Sequence, residues 1–169
     1  MRNDSEIVAP FKQEKNDDDG RACLIATARN AMRALGEESV PSEDEIIETV
    51  GKDNLFGEGG EIRVAEIYKY LENRGYKVNS RLYGFPGELI EKLLEGTVVI
   101  EVVSAQGREG YHAKLLADIR IENGDISLRE HDPDPKKPES SLITLDNHID
   151  EVYKKKGLSG LVLVEAKDR

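Results

Sequence analysis

The chain has one cysteine, no tryptophan and only 5% aromatic residues in 169 positions. A lone Cys23 excludes an internal disulfide, and three histidines without a second cysteine supply no zinc-ligand set at a standard spacing. No stretch comes near 18 uninterrupted apolar residues, and Met1 to Lys15 has no apolar core of the signal-peptide kind. Neither a membrane span nor a secretion signal is therefore expected, and the chain is read as cytoplasmic. Positive charge is also short, with 24 Lys+Arg against 34 Asp+Glu and a net charge of −10. Nucleic-acid affinity comes mostly from Lys and Arg neutralising phosphates, so DNA and RNA are not expected partners. What remains is 38% hydrophobic residues interspersed with 34% charged ones, without a block of five like charges. That composition describes one globular domain, residues 1–169, with neither a repeat nor a linker to divide it.

The first half reads as helical. Leu24, Ala28, Ala31, Met32 and Leu35 form one stripe of a helix from Ala22 to Leu35, stopped by Gly36, and Asp17-Asp18-Asp19-Gly20 before it reads as its N-cap. Ser42 and Glu45 have capping-box spacing for a second helix over 43–50, closed by Gly51. A loop with Gly57, Gly59 and Gly60 leads to a third helix carrying Val64, Ile67 and Leu71. That loop lacks the Lys-Ser/Thr of a phosphate loop, so no nucleotide or other cofactor is assigned. After Gly75 the pattern turns to strands: one near 76–83, a short helix started by Pro86, and a buried strand from Thr97 to Val103. From Tyr111 to Ile121 apolar and polar residues alternate up to Asn123-Gly124, a strong hairpin signal, and the return strand 125–131 stops at Asp132-Pro133-Asp134-Pro135. A helix near 145–155 and a strand from Gly160 to Ala166 close the chain.

Cys23 falls in the first turn of a helix, where unpaired N–H groups and the helix dipole favour an anion. His112 falls on the polar side of a distant strand, facing solvent or a cleft. A thiol at a helix start and an imidazole on a strand are the two parts a thiol nucleophile and its base require. His131 and His148 have no partners at metal spacing and read as surface residues, and Glu43-Asp44-Glu45 reads as a solvated helix start.

In order and spacing these elements resemble the C39-like peptidases of the papain-like cysteine peptidase group. The resemblance rests on Gln13 before the cysteine, Cys23 opening an Ala-rich helix that ends Ala34-Leu35-Gly36, and a Ser-initiated second helix. It continues through Gly59-Gly60, the run Leu93-Leu94-Glu95-Gly96-Thr97-Val98-Val99-Ile100, then Tyr111-His112 and His131-Asp132-Pro133. It implies an α+β papain-like fold, a helical half packed against an antiparallel sheet with the cleft between them. It also implies a thiol hydrolase of peptide or isopeptide-like acyl bonds, with a peptide or protein substrate. Cys23 would be nucleophile, His112 base and later acid, Asp132 the group orienting His112, and Gln13 the oxyanion-hole donor. A peptide-binding module of the same fold and an acyltransferase using the same Cys–His pair remain open.

Hairpin parity complicates the role of Asp132. A two-residue turn at Asn123-Gly124 places Asp132 opposite Leu115, on the face away from His112. A β-bulge between 126 and 132 is therefore expected, with Asp134 as the substitute should the ladder be regular.

Overall fold

The computed structural model describes residues 11–12, 22–58, 62–81, 86–104, 111–138, 140–156 and 158–167. Four helices come first: α1 (Cys23–Ala34), α2 (Glu43–Val50), α3 (Lys52–Leu55) and α4 (Val64–Asn73). Then follow β1 (Lys77–Arg81), α5 (Pro86–Leu94), β2 (Val98–Ser104), β3 (Tyr111–Glu122), β4 (Asp125–His131), β5 (Ser141–Thr144), α6 (Leu145–His148) and β6 (Leu158–Glu165). Between α6 and β6, Ile149–Lys156 continues as a π-helix. Among the described residues no helix is long and apolar enough to cross a membrane.

α1 follows the apolar stripe read from the sequence, and its residues from Cys23 to Met32 are all buried. Its N-cap is Ala22, with no side-chain cap among the described residues; the run Asp17 to Asp19, expected to serve as the N-cap, lies outside them. α2 carries the expected capping box: the Glu45 N–H donates to Ser42 Oγ at 3.2 Å and the Ser42 N–H to Glu45 Oε2 at 2.7 Å. Glu43 in its first turn is fully buried rather than solvated, because that face of α2 packs inward beside Ile46.

The six strands form one antiparallel sheet in the order β1-β6-β2-β3-β4-β5. Apolar side chains cover both faces. Ile25, Ala28 and Met32 of α1 and Ile67 and Leu71 of α4 pack with Val98, Ile100, Ala113, Leu115, Val162 and Val164 on one. Leu89 and Leu93 of α5 pack with Val99, Leu116, Leu128, Leu161 and Leu163 on the other. A strand buried on both faces loses its polar alternation, which is why 98–103 reads as an apolar run broken only by Glu101. The hairpin turn has Asn123 at φ 51° and Gly124 at φ 90°, the left-handed pair that a tight two-residue turn demands.

Candidate active site

α1 presents Cys23 as its first residue, and Thr27 one turn later lies on the same helical face. The buried Thr27 hydroxyl donates to the Ala113 carbonyl at 3.1 Å. This bond fastens the start of α1 to β3 beside His112, the second residue of that strand. His112 is in hydrogen-bonding contact with the Cys23 side chain, and its Nε2 lies 2.7 Å from Asp132 Oδ1. With Nε2 committed to the carboxylate, Nδ1 is the nitrogen left to face the thiol. Cys23 is 5% exposed, while the His112 side chain keeps 25% of its surface open.

Asp132 reaches His112 through an irregularity in the ladder. Near the turn the pairing is regular, as in Asp118 with Arg129, but beyond it Leu116 pairs with Glu130 and Leu115 with His131. Ala117 is the extra residue. The bulge thus occurs beside 129–130, but the added residue belongs to β3 and not to the 126–132 stretch expected from the sequence. Parity asks only for one added residue between turn and site, and either strand can supply it. Past the bulge, Lys114 falls opposite Asp132, so His112, Lys114 and Asp132 share a face. That face is buried: Lys114 is 5% exposed, with its Nζ 3.0 Å from Glu130 Oε1 and 3.7 Å from Asp132 Oδ2.

Burial alone would push the His112 imidazolium toward its neutral form, but the hydrogen bonds from Asp132 and Cys23 and their charges outweigh it and raise the pKa to about 9. Burial likewise raises the Asp132 carboxyl, while His112, the Asp134 N–H and Lys114 overcome it and bring the pKa down to about 2. At neutral pH the ring is a cation and the carboxylate an anion. Asp134 is not the partner of His112. Its N–H donates to Asp132 Oδ1 at 3.0 Å and its own Oδ1 accepts from the Lys136 N–H at 2.9 Å, so it shapes the turn that holds Asp132.

Two residues to which the sequence reading gave no role link this turn to α1. The Lys12 ammonium donates to four carbonyls, those of Asp132 (2.8 Å), Asp134 (3.2 Å), Lys137 (3.1 Å) and Pro138 (2.9 Å). Phe11 exchanges two hydrogen bonds with the Asn30 side chain, at 2.6 and 3.0 Å, and its ring lies against the Arg29 and Arg33 guanidinium groups. Residues 11–12 are therefore tied to both α1 and the Asp132 turn. Gln13, the expected oxyanion donor, is the next residue and lies outside the described residues.

His131 and His148 are buried rather than on the surface, at 8% and 0% exposure. The partners of His148 lie on other elements, which spacing along the chain cannot reveal. His131 has neither ring nitrogen hydrogen-bonded. Burial, with Arg129 and Lys12 nearby, lowers its pKa to about 4 and keeps it neutral. A surface depression lined by Pro41, Glu45, Thr49, Tyr70 and Arg74 shares no residue with the Cys23 constellation.

No protein-family model and no curated protein matches the sequence. Solved structures do match its shape. The peptidase domain of Streptococcus ComA, a bi-functional ABC transporter involved in a quorum-sensing pathway, is similar at 13% identity and TM-score 0.61, over 95% of this chain and 100% of that one. A candidate C39-like peptidase from Bacillus anthracis is similar at 12% identity and TM-score 0.61, over 95% of this chain and 96% of that one. With its helices on a six-stranded antiparallel sheet, the chain has the papain-like fold of C39 peptidase domains.

Proposed function

We propose that the protein is a thiol hydrolase that cleaves a peptide or isopeptide-like acyl bond of a peptide or protein substrate. The observation that carries this reading is the 2.7 Å bond between His112 Nε2 and Asp132 Oδ1 on the same ring that meets Cys23. Cys23 Sγ attacks the scissile carbonyl carbon, with its proton held by His112, and the carbonyl electrons move onto oxygen. The Cys23 N–H, in the helix turn that has no intrahelical acceptors for its donors, and the Gln13 amide receive that oxyanion. Collapse of the tetrahedral species breaks the C–N bond, and the His112 proton leaves on the amine. Water then gives its proton to His112 and attacks the thioester, and the carboxylic acid departs as the thiol is restored. Asp132 keeps the ring oriented throughout and stabilises it whenever it carries the proton.

The test is digestion of a mixture of cell-derived peptides, read by mass spectrometry of new termini, with Cys23→Ala and Asp132→Asn beside the unaltered protein. Cleavage that vanishes in C23A and falls by about 10²–10⁴ in D132N is expected. Cleavage that persists in folded C23A, or none that depends on Cys23, overturns the reading.

A further inference from the structure

On the sheet face that carries His112 and Asp132, a second group of donors converges from three elements. Glu101 of β2 and His148 of α6 are fully buried, Glu130 of β4 is 7% exposed, and one donor atom from each lies within 4.8 Å of the other two. Among the described residues this is the one such group of histidine and carboxylate side chains. His148 Nε2 sits 2.9 Å from Glu101 Oε1. Yet Glu101 Oε2 and His148 Nδ1, both shut off from solvent, have no hydrogen-bond partner. Buried polar atoms without partners are uncommon, and here two belong to the same three-residue group. The Tyr153 hydroxyl is a third such atom, on a ring packed edge-on against His148.

We infer that Glu101, Glu130 and His148 bind one divalent transition-metal cation, zinc being the best fit, which joins β2, β4 and α6. Two carboxylate oxygens and an imidazole are a borderline ligand set that suits zinc or manganese, whereas calcium and magnesium prefer oxygen donors throughout. Charge points the same way. Glu130 pairs with the Lys114 ammonium at 3.0 Å, and Asp132 draws on the same ammonium at 3.7 Å. A divalent cation on a neutral imidazole balances Glu101 and Glu130 and leaves Lys114 to Asp132. Donors held within 4.8 Å must close by roughly 1 Å to reach coordination distances of about 2.0–2.2 Å, a side-chain adjustment and not a change of fold. The π-helix that follows His148 gives α6 an irregular backbone at this point, and such turns often accompany sites.

Cys23 and His112 could themselves capture zinc, so the experiment uses Cys23→Ser. The chelator-treated variant is equilibrated with Zn²⁺, desalted, and its metal counted by plasma mass spectrometry, with Mg²⁺ and Ca²⁺ in parallel. About one Zn²⁺ per chain is expected, with a melting temperature raised by about 5–10 °C at a hundredfold excess over the dissociation constant, and no effect from Mg²⁺ or Ca²⁺. Co²⁺ in place of Zn²⁺ should give visible d–d bands without thiolate charge transfer. Adding Glu101→Gln or His148→Gln should each abolish retention. No retained zinc in folded C23S overturns the proposal whatever the added variants do. So does retention that survives both substitutions, or a melting temperature that zinc leaves unchanged.

Discussion

Replacing Asp132 by Asn removes a charge while preserving most of the local shape, since the amide oxygen can still accept the Asp134 N–H. Raising an imidazole from 6.5 to about 9 corresponds to about 3 kcal/mol of preference for its charged form. From the other end of the same contact, lowering a carboxyl from 3.8 to about 2 corresponds to about 2.5 kcal/mol. These describe one interaction and do not add. The larger figure on the His112 side includes Cys23, so about 2 kcal/mol belongs to the Asp132 contact at order of magnitude. The signs fix the window. A raised histidine stabilises fully below its unfolded value near 6.5, and loses that contribution as pH rises through about 9. A lowered carboxyl stabilises above 3.8 and loses it as pH falls through about 2. The deficit of D132N should therefore be greatest between pH 4 and 6.5, about 2 kcal/mol, and should shrink above pH 9. Urea unfolding across pH 3–10 measures it, and the chain's three histidines make the ring-proton NMR titration of His112 readable beside it. The His112 midpoint should drop by about 1 pH unit or more in D132N. A midpoint that does not move refutes the pairing.

Lys12→Met should cost about 2–3 kcal/mol in urea unfolding and expose the 132–138 turn to limited proteolysis, because the ammonium satisfies four of its carbonyls. Thr27→Val removes the hydroxyl that donates to the buried Ala113 carbonyl and should cost about 1–2 kcal/mol, with slower thiol alkylation as α1 loosens from β3. Ser42→Ala removes the α2 capping box, which should cost about 1 kcal/mol in thermal unfolding without altering Cys23 reactivity.

The helices and the long hairpin were legible because their signals are local: the apolar stripe of α1, the Ser42–Glu45 box and the Asn123-Gly124 turn each need only a few neighbouring residues. β5 and α3, four residues each, fall below the length at which periodicity can be read. The His112–Asp132 pairing was foreseen from the family pattern against regular parity, and the need for a bulge followed from that conflict. Its place at Ala117 did not follow, since nothing in the sequence says which strand bears the added residue. The buried Lys114, Glu130, Glu101 and His148 were hidden for a different reason. Lys114, Glu130 and His148 stand in alternating or short segments that read as solvent-facing, and Glu101 is the one charge within a run read as a buried strand; the covering of that sheet face by α5, α6 and the π-helix places all four inside. Lys12 was illegible because its acceptors lie 120–126 residues away along the chain.

The proposed chemistry requires Cys23 and His112 to work as a reactive pair. Because the chain has one cysteine, iodoacetamide labels a single thiol and intact mass reports its rate directly. The native protein should be alkylated at pH 6 nearly as fast as at pH 8, while His112→Ala should react at least tenfold more slowly at pH 6 and recover only at alkaline pH. A thiol that reacts only after denaturation, or whose pH profile His112→Ala leaves unchanged, would contradict it.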